Sequence, residues 1–438
     1  MRETFEHLVG SLNALTEPGE IFTCLLEGED SDFVRLNRNR VRQAGHVRQL
    51  ELSIDLVEGE RHVEGSLNVS GDAEWDREAL AEMVGLLRAQ RAHVEPDPHL
   101  LLATEVRNSE DVRPDGLPDS AEALDEIARA AEGLDLVGIW SAGPLYRAFA
   151  NSAGQRNWYE SANFNFDWSC HLEGDKAVKA NYAGFRWEPA ALAEKMATVR
   201  HELEVMGRPP KSIEPGHYRV YLAPSALAEI LSIVSWGGFG LKAHRTRQTS
   251  LLKMAVEGRR LNPAVTLVED HAGGLAPPFT ASGFLKPPRV TLIEGGAYRE
   301  TLVSPRSGKE YGVPVNADGE FPQSLDMAAG EIPRQAVLER LGTGLYLNNL
   351  WYCNYSDRNE CRITGMTRFA AFWVEDGDIR APLNPMRFDE SLYRMLGEHL
   401  IGLTAEREFL FDTGTYHQRS TGSLHLPGAL IEDFAFTL

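Results

Sequence analysis

The side chains best equipped for chemistry crowd into one polar segment, Ser356 to Arg368. It sits within the run GTGLYLNNLWYCNYSDRNECRITGMTRFAAFWVEDGDIRAP, residues 342–382. Arg358, Arg362 and Arg368 stand there with Asp357, Glu360 and Thr364. Guanidinium forks make directional, charge-assisted hydrogen bonds to carboxylates and carbonyls, so the set suits holding a peptide or an acid. Asn349 and Tyr352 precede it on an aromatic-rich stretch and are placed to line the same groove. The candidate binding residues are therefore Asn349, Tyr352, Arg362, Thr364 and Arg368. The alternative is structural: Arg362 or Arg368 pairs with Asp357 or Glu360 and stabilises the turn. Cys353 and Cys361 flank the segment, and a neighbouring arginine could activate either as a nucleophile. Packing on a strand is the favoured reading for Cys353.

Other chemistry is thinner. His244-Arg245-Thr246-Arg247-Gln248 follows the glycine-rich stretch Gly237 to Gly240, a combination able to hold a phosphate or a carboxylate. No GxGxxG or GK[ST] pattern supports a nucleotide, so an ordinary loop is favoured; no GxSxG nucleophile elbow is present either. His201-Glu202 begins an HE pair without a second histidine at the fourth or fifth position. At about 100° per residue, Leu192, Met196, Val199, Leu203 and Met206 share one helix face, and His201 falls opposite them, toward solvent. His217, His244, His271, His417 and His425 remain as residues that only the fold could bring together into a site.

The elements that must position these groups follow from hydrophobic period. Phe5, Leu8, Val9, Leu12 and Leu15 mark an amphipathic helix, and Leu80, Met83, Val84 and Leu87 a second. Leu50 to Leu56 and Val63 to Val69 alternate as a half-buried antiparallel ribbon. Asp119 caps a third helix. Phe164, Phe166, Trp168 and Cys170 share a strand face, and a turn is read at Glu173-Gly174-Asp175. Pro189 opens a fourth helix. Arg208-Pro209-Pro210-Lys211 reads as the linker between an N-terminal α+β domain, residues 1–208, and a β-rich C-terminal domain, residues 214–438. In the second, Tyr218 to Leu222 is a strand and Pro224 to Trp236 a helix. Strands and turns follow, including Val290 to Ile293 and Leu302 to Pro305. Leu345 to Tyr355 and Phe369 to Val374 are strands, with Asp376-Gly377 as a hairpin turn. The residues 356–368 are read as the loop between them. The tail from Leu424 to Thr437 is placed to close the sheet. The fold class is α+β: an N-terminal α/β-type sandwich, then a mostly antiparallel, curled β domain with a few helices.

Composition narrows the function. In 438 residues, 64 acids against 44 bases leave a net charge of −20, which disfavours nucleic acid and anionic membrane as partners. No segment reaches the ~20 apolar residues that cross a bilayer. The four cysteines lack CxxC spacing and suit reduced thiols in the cytoplasm.

The run GLYLNNLWYCNYSDRNECRITGMTRFAAFWVEDGDIRAP resembles the signature of the TldD/PmbA family, on its TldE/PmbA-like side, and the similarity is strongest from Pro215 onward. The resemblance implies a metalloprotease-type assembly in which a zinc-binding TldD-like subunit pairs with a TldE-like one to trim small or unfolded peptides. In TldD-like members an HExxxH motif lies on the helix after the first C-domain strand, and a cysteine near the C-terminus completes the site. Here the matching slots fall near Ser232, Ile233 and Gly237, and Thr413 to Pro427 holds His417 and His425 but no cysteine. The resemblance thus implies a subunit that binds no metal or other cofactor itself, with zinc on a TldD-like partner and a peptide as substrate; a homodimer when that partner is absent is left open. An edge near Leu345 to Tyr355 would take an extended peptide by strand addition. Two other readings stay open: an autonomous hydrolase with an atypical site, and a non-proteolytic regulator acting through protein partners.

Overall fold

The computed structural model describes residues 1–174 and 176–437, and the counts below refer to them; Asp175, in the turn read after the Phe164–Cys170 strand, lies outside. The first half is built on one seven-stranded sheet. Helix α1 (Arg2–Leu15) leads into β1 (Ile21–Asn37), β2 (Arg40–Glu58) and β3 (Arg61–Asn68), then α2 (Ala73–Arg91). There follow β4 (Ser109–Val112), α3 (Ser120–Ala130), β5 (Asp135–Asn151), β6 (Arg156–His171), β7 (Ala177–Gly184) and α4 (Pro189–Met206). The strand order is β3-β2-β1-β5-β6-β4, with β7 also on β6. Only the β4–β6 pairing is parallel in this sheet.

Two apolar clusters cover this sheet. One packs α1 and α2 through Phe5, Leu8, Leu80 and Val84 onto Leu52, Ile54 and Ala148. The other packs α3 and α4 through Ile127, Leu192, Met196 and Val199 onto Trp140, Phe164, Phe166 and Trp168. The second cluster also takes in Ala370 and Phe372, so the two halves of the chain share a core. The 3.6 period of the helices and the 2.0 period of the strands are what make each of these faces continuous. Asp119 caps α3 by accepting the Ala121 N–H, and Asp72 caps α2 likewise through Glu74 and Trp75.

The second half is organised by an eleven-stranded sheet. Its elements are β8 (Gly216–Leu222), α5 (Pro224–Ser235), α6 (Leu241–Arg245), α7 (Leu252–Glu257), β9 (Leu267–Asp270), β10 (Arg289–Glu294), β11 (Ala297–Tyr298) and α8 (Pro305–Tyr311). Then come β12 (Ser324–Met327), α9 (Val337–Leu341), β13 (Gly344–Asp357), β14 (Arg362–Glu375), β15 (Asp378–Pro382), β16 (Arg387–Ser391), β17 (Leu400–Phe411) and β18 (Ser423–Phe436). Most pairings are antiparallel, but β12–β18 and β13–β8 are parallel. Strand β8 pairs both β13 and β18, so β18-β16-β14-β13-β8 closes on itself. Closure by the tail strand removes two edges that would otherwise invite pairing with other chains.

Two local readings change. The segment 356–368 is mostly strand: β13 runs on to Asp357 and β14 begins at Arg362, leaving a turn of four residues. A bulge between Tyr355 and Asp357 falls at its start, after two more in β13, between Leu347 and Asn349 and between Trp351 and Asn354. Leu302 makes only an isolated bridge, to Gly240, and Pro305 starts α8, where the Ser304 hydroxyl accepts the Ser307 N–H. Proline at the first helical position loses no hydrogen bond, which favours the helix. The Arg208–Lys211 segment lies against β15: the Arg208 guanidinium donates to the Ile379 and Arg380 carbonyls, and the Lys211 N–H to that of Pro382.

Candidate functional site

Helix α5 is the element around which one groove forms. Pro224 stands at its first turn, and Leu227, Ile230, Leu231 and Val234 are buried beneath it. The same period sends Ser225, Ala228, Glu229, Ser232 and Ser235 to the other face, where they line a cavity of about 460 Å³. Its opposite wall comes from the first sheet, through Asp167, Lys179 and Asn181. Asn349 of β13 and the segments Leu410–Thr413 and Gly422–Leu424 complete it. The groove is thus a seam between the two sheets.

Burial sets its electrostatics. Desolvation raises the Glu229 and Asp167 carboxyls above their ordinary range, opposed in both cases by the Lys179 ammonium. Lys179 stands 3.6 Å from Asp167. Asn181 Oδ1, Ser235 Oγ and Asn349 Oδ1 are buried and have no hydrogen-bond partner among the described residues. Buried polar atoms are ordinarily paired, so three such atoms around one groove mark a place where a ligand's polar groups fit.

A second cavity, of about 470 Å³, adjoins the first and shares Ala180, Asn181 and Ser225 with it. It lies between α4, the start of α5, and Tyr346 and Asn348 of β13. Glu202 reaches it with only 2% of its surface exposed. Burial pushes its carboxyl up to about 8, against hydrogen bonds from Asn348 and Tyr346; Asn348 Nδ2 stands 3.3 Å from Glu202 Oε2. Glu408 borders the same cavity, and its carboxylate is held by Lys195 at 2.7 Å and Arg334 at 3.0 Å. Burial raises that carboxyl, but the two cations outweigh it and leave it below its ordinary range. His201 is exposed, as the helical period requires; Glu202, its neighbour, is the group the sequence reading passed over. The period places residue 202 beside 199 and 206, on the buried face, and that was the available signal.

The structure splits the five candidate residues. Asn349 lines the groove. Arg368 stands opposite it in the β13–β14 register, with its guanidinium 5.1 Å from the Trp351 ring and 5.2 Å from that of Phe369. Tyr352 is 78% exposed and meets the Trp351 ring edge-on. Arg362 faces β16, 3.6 Å from Asp389, and the Thr364 hydroxyl donates to the Phe388 carbonyl at 2.8 Å. The ion pair near the turn joins Glu360 to Lys253 instead, at 2.5 Å. One hairpin carries all five residues, but among them only Asn349 reaches the groove. Burial pushes the Cys353 and Cys361 thiols up to about 12, which keeps them protonated and unreactive near neutrality.

The five histidines do not meet. His217 pairs with Asp433, His271 with Glu269, and His425 with Asp326 while stacking on Phe409. His244 lies on Tyr298, and the His417 carbonyl accepts from Gln49. Among the described residues no group of three or more His, Cys, Asp or Glu is placed to hold a metal ion. The slots near Ser232, Ile233 and Gly237 do not fit zinc. Ser232 presents a hydroxyl to the groove, and Ile233 is hydrocarbon whose carbonyl accepts the Tyr355 hydroxyl. Gly237 lies beyond the last helical residue, with a φ of 82° and the Arg358 guanidinium against it. The C-terminal stretch does reach the same groove, through Thr413, Gly422 and Ser423.

Two sheets meeting over a helix-lined seam define an α+β protein. Residues 215–438 match the model of the PmbA/TldA metallopeptidase C-terminal domain, and the chain belongs to the TldD/PmbA family. TldE from Thermococcus kodakarensis is similar in structure, with a TM-score of 0.78 at 13% identity, over 99% of this chain and 100% of that one. A Thermotoga maritima protein named as a candidate modulator of DNA gyrase gives 0.73 at 14% identity, over 99% and 100%. A Bacteroides thetaiotaomicron protein named in the same way gives 0.75 at 15% identity, over 100% and 99%. At such identities these three establish shared fold alone. Comparison with curated proteins finds no significant match.

Proposed function

We propose that this chain is the peptide-holding, non-metal-binding subunit of a TldD/TldE-type complex, with hydrolysis performed on a zinc-bearing TldD-like partner and small or unfolded peptides as substrates. The observation that carries the reading is the chemistry of the α5 groove. Its floor offers hydroxyls, a methyl and the Glu229 carboxyl, and three unpartnered polar atoms stand around it, Ser235 Oγ on the floor and Asn181 Oδ1 and Asn349 Oδ1 on the walls. Such a surface hydrogen-bonds a peptide backbone without activating water. Support also comes from β13, which β8 pairs only from Leu345 to Leu347; beyond that, no strand among the described residues occupies the β8 side. An extended peptide adding there would be held by its backbone and tolerated in many sequences. No helix of the described residues is long and apolar enough to cross a membrane.

The test is reconstitution. The purified chain is assayed with an unstructured peptide alone, then with a TldD-like protein, each with and without chelator. Cleavage only in the mixture, lost with chelator and accompanied by co-elution of the two chains, is the expected result. Chelator-sensitive turnover by the chain alone would overturn the proposal.

A further inference from the structure

A third cavity, of about 1040 Å³, shares no lining residue with the groove or its neighbour. It lies where the loop after α6 meets the Leu285–Pro287 and Val313–Asn316 segments, and Arg107 of the first half reaches its rim. Its charge runs against that of the protein. Arg107, Arg245, Arg247, Lys286 and Arg299 line it against a single acid, Glu300, in a chain of net charge −20. Random placement would give the opposite balance.

The cations differ in what already holds them. Arg107 pairs with Glu105 and Arg299 with Glu294, both at exposed positions, where an ion pair contributes about 0–1 kcal/mol and is readily exchanged for a ligand. Lys286 is buried, and its ammonium donates to the Gln323 side-chain oxygen at 3.1 Å. Arg245 and Arg247 enter no ion pair among the described residues. Both belong to one tight turn: the Thr246 N–H donates to the Lys242 carbonyl, and Arg247 adopts a left-handed backbone, φ 58°. Two guanidiniums two positions apart, without carboxylate partners, form the chemistry that recognises oxyanions. Leu285, Val303, Val313 and Val315 give the wall an apolar stretch, beside the polar His244, Thr301 and Asn316. The volume is at the upper end of small-ligand sites and exceeds what one inorganic anion fills.

We propose that this cavity binds a small organic polyanion, a molecule carrying two or more carboxylate or phosphate groups on a partly apolar body. Arg245 and Arg247 hold the oxyanions, Arg107 and Arg299 extend the positive field, and the valine-lined wall takes the body.

The test is isothermal titration of the full chain with two probes, inorganic tripolyphosphate and citrate, at low and physiological salt. Saturable one-to-one binding of at least one probe is expected, weakening as salt rises because the arginines are exposed. Binding of tripolyphosphate alone assigns the site to phosphates, and binding of citrate alone to carboxylates. Losing two charge-assisted partners, the Arg245→Ala/Arg247→Ala variant should bind at least about tenfold more weakly. Arg219→Ala, which removes an exposed arginine paired with Glu432 elsewhere, should bind as the parent does. Circular dichroism of each variant checks folding. Absence of saturable binding by either probe, or unchanged affinity in the double variant, overturns the proposal. The measurement needs no partner subunit, so its failure leaves the peptidase-subunit reading standing, and the converse also holds.

Discussion

Glu202 gives the sharpest quantitative test of the interior. Its ordinary carboxyl value of 4.5 is raised to about 8 in the folded chain, first by burial and against hydrogen bonds from Asn348 and Tyr346. Below pH 4.5 the folded and unfolded states both hold the proton. Between 4.5 and about 8 only the folded state holds it, so unfolding releases a proton and stability falls as pH rises. Above about 8 both states are ionised, and the penalty is constant. Its full size is roughly 4–5 kcal/mol, at about 1.4 kcal/mol per pH unit. Glu202→Gln keeps a neutral side chain of the same shape, so it should match the parent near pH 4.5 and be more stable by about 3 kcal/mol at pH 7 and about 5 kcal/mol at pH 9. Urea unfolding followed by tryptophan fluorescence at pH 5, 7 and 9 reads the difference. The raised carboxyls of Asp55, Asp167 and Glu229 are present in both proteins and cancel in it. Parallel pH profiles for parent and variant would refute the burial argument.

Three further outcomes are expected. Arg419 is buried and bonds Ser31, the Gly143 carbonyl and Asn163, pinning the 412–422 segment of the groove wall to the first sheet; Arg419→Met should cost on the order of 3–5 kcal/mol and speed proteolysis between residues 413 and 418, read by thermal melting and mass mapping. Gly143 has a φ of 137°, and an added Cβ would lie 2.1 Å from the Asp30 carbonyl oxygen, so Gly143→Ala should lower stability by about 3 kcal/mol in the same melts, where an unchanged melt would contradict the geometry. Installing the motif as Ser232→His/Ile233→Glu/Gly237→His should not yield stoichiometric zinc after dialysis, because Gly237 stands past the helix end beside Arg358; elemental analysis finding one zinc per chain would show that the helix extends.

The order of elements was legible wherever burial follows a local period. Helices α1, α2, α4 and α5 and strands β2, β6 and β18 each repeat their apolar residues at the spacing of their own backbone, so a window of ten residues contains the answer. The family resemblance was legible for a related reason: the β13–β14 run is contiguous in the chain. Its polar middle misled, because bulges and a four-residue turn let a strand carry charges that otherwise read as a loop.

What the chain could not disclose on its own was which surfaces face one another. Arg362, Thr364 and Arg368 are near Asn349 in sequence, yet the pleat and the β16 neighbour turn Arg362 and Thr364 away, while Asn349 meets Asp167, Lys179 and Ser232 from segments far apart. Glu202 acquires its chemistry only because α4 docks on β13, and the arginines of the third cavity gather from residues 107 to 299. Period is a local property of a backbone, so sequence determined the elements; burial and proximity of charge depend on long-range packing, so the sites were decided by the tertiary structure.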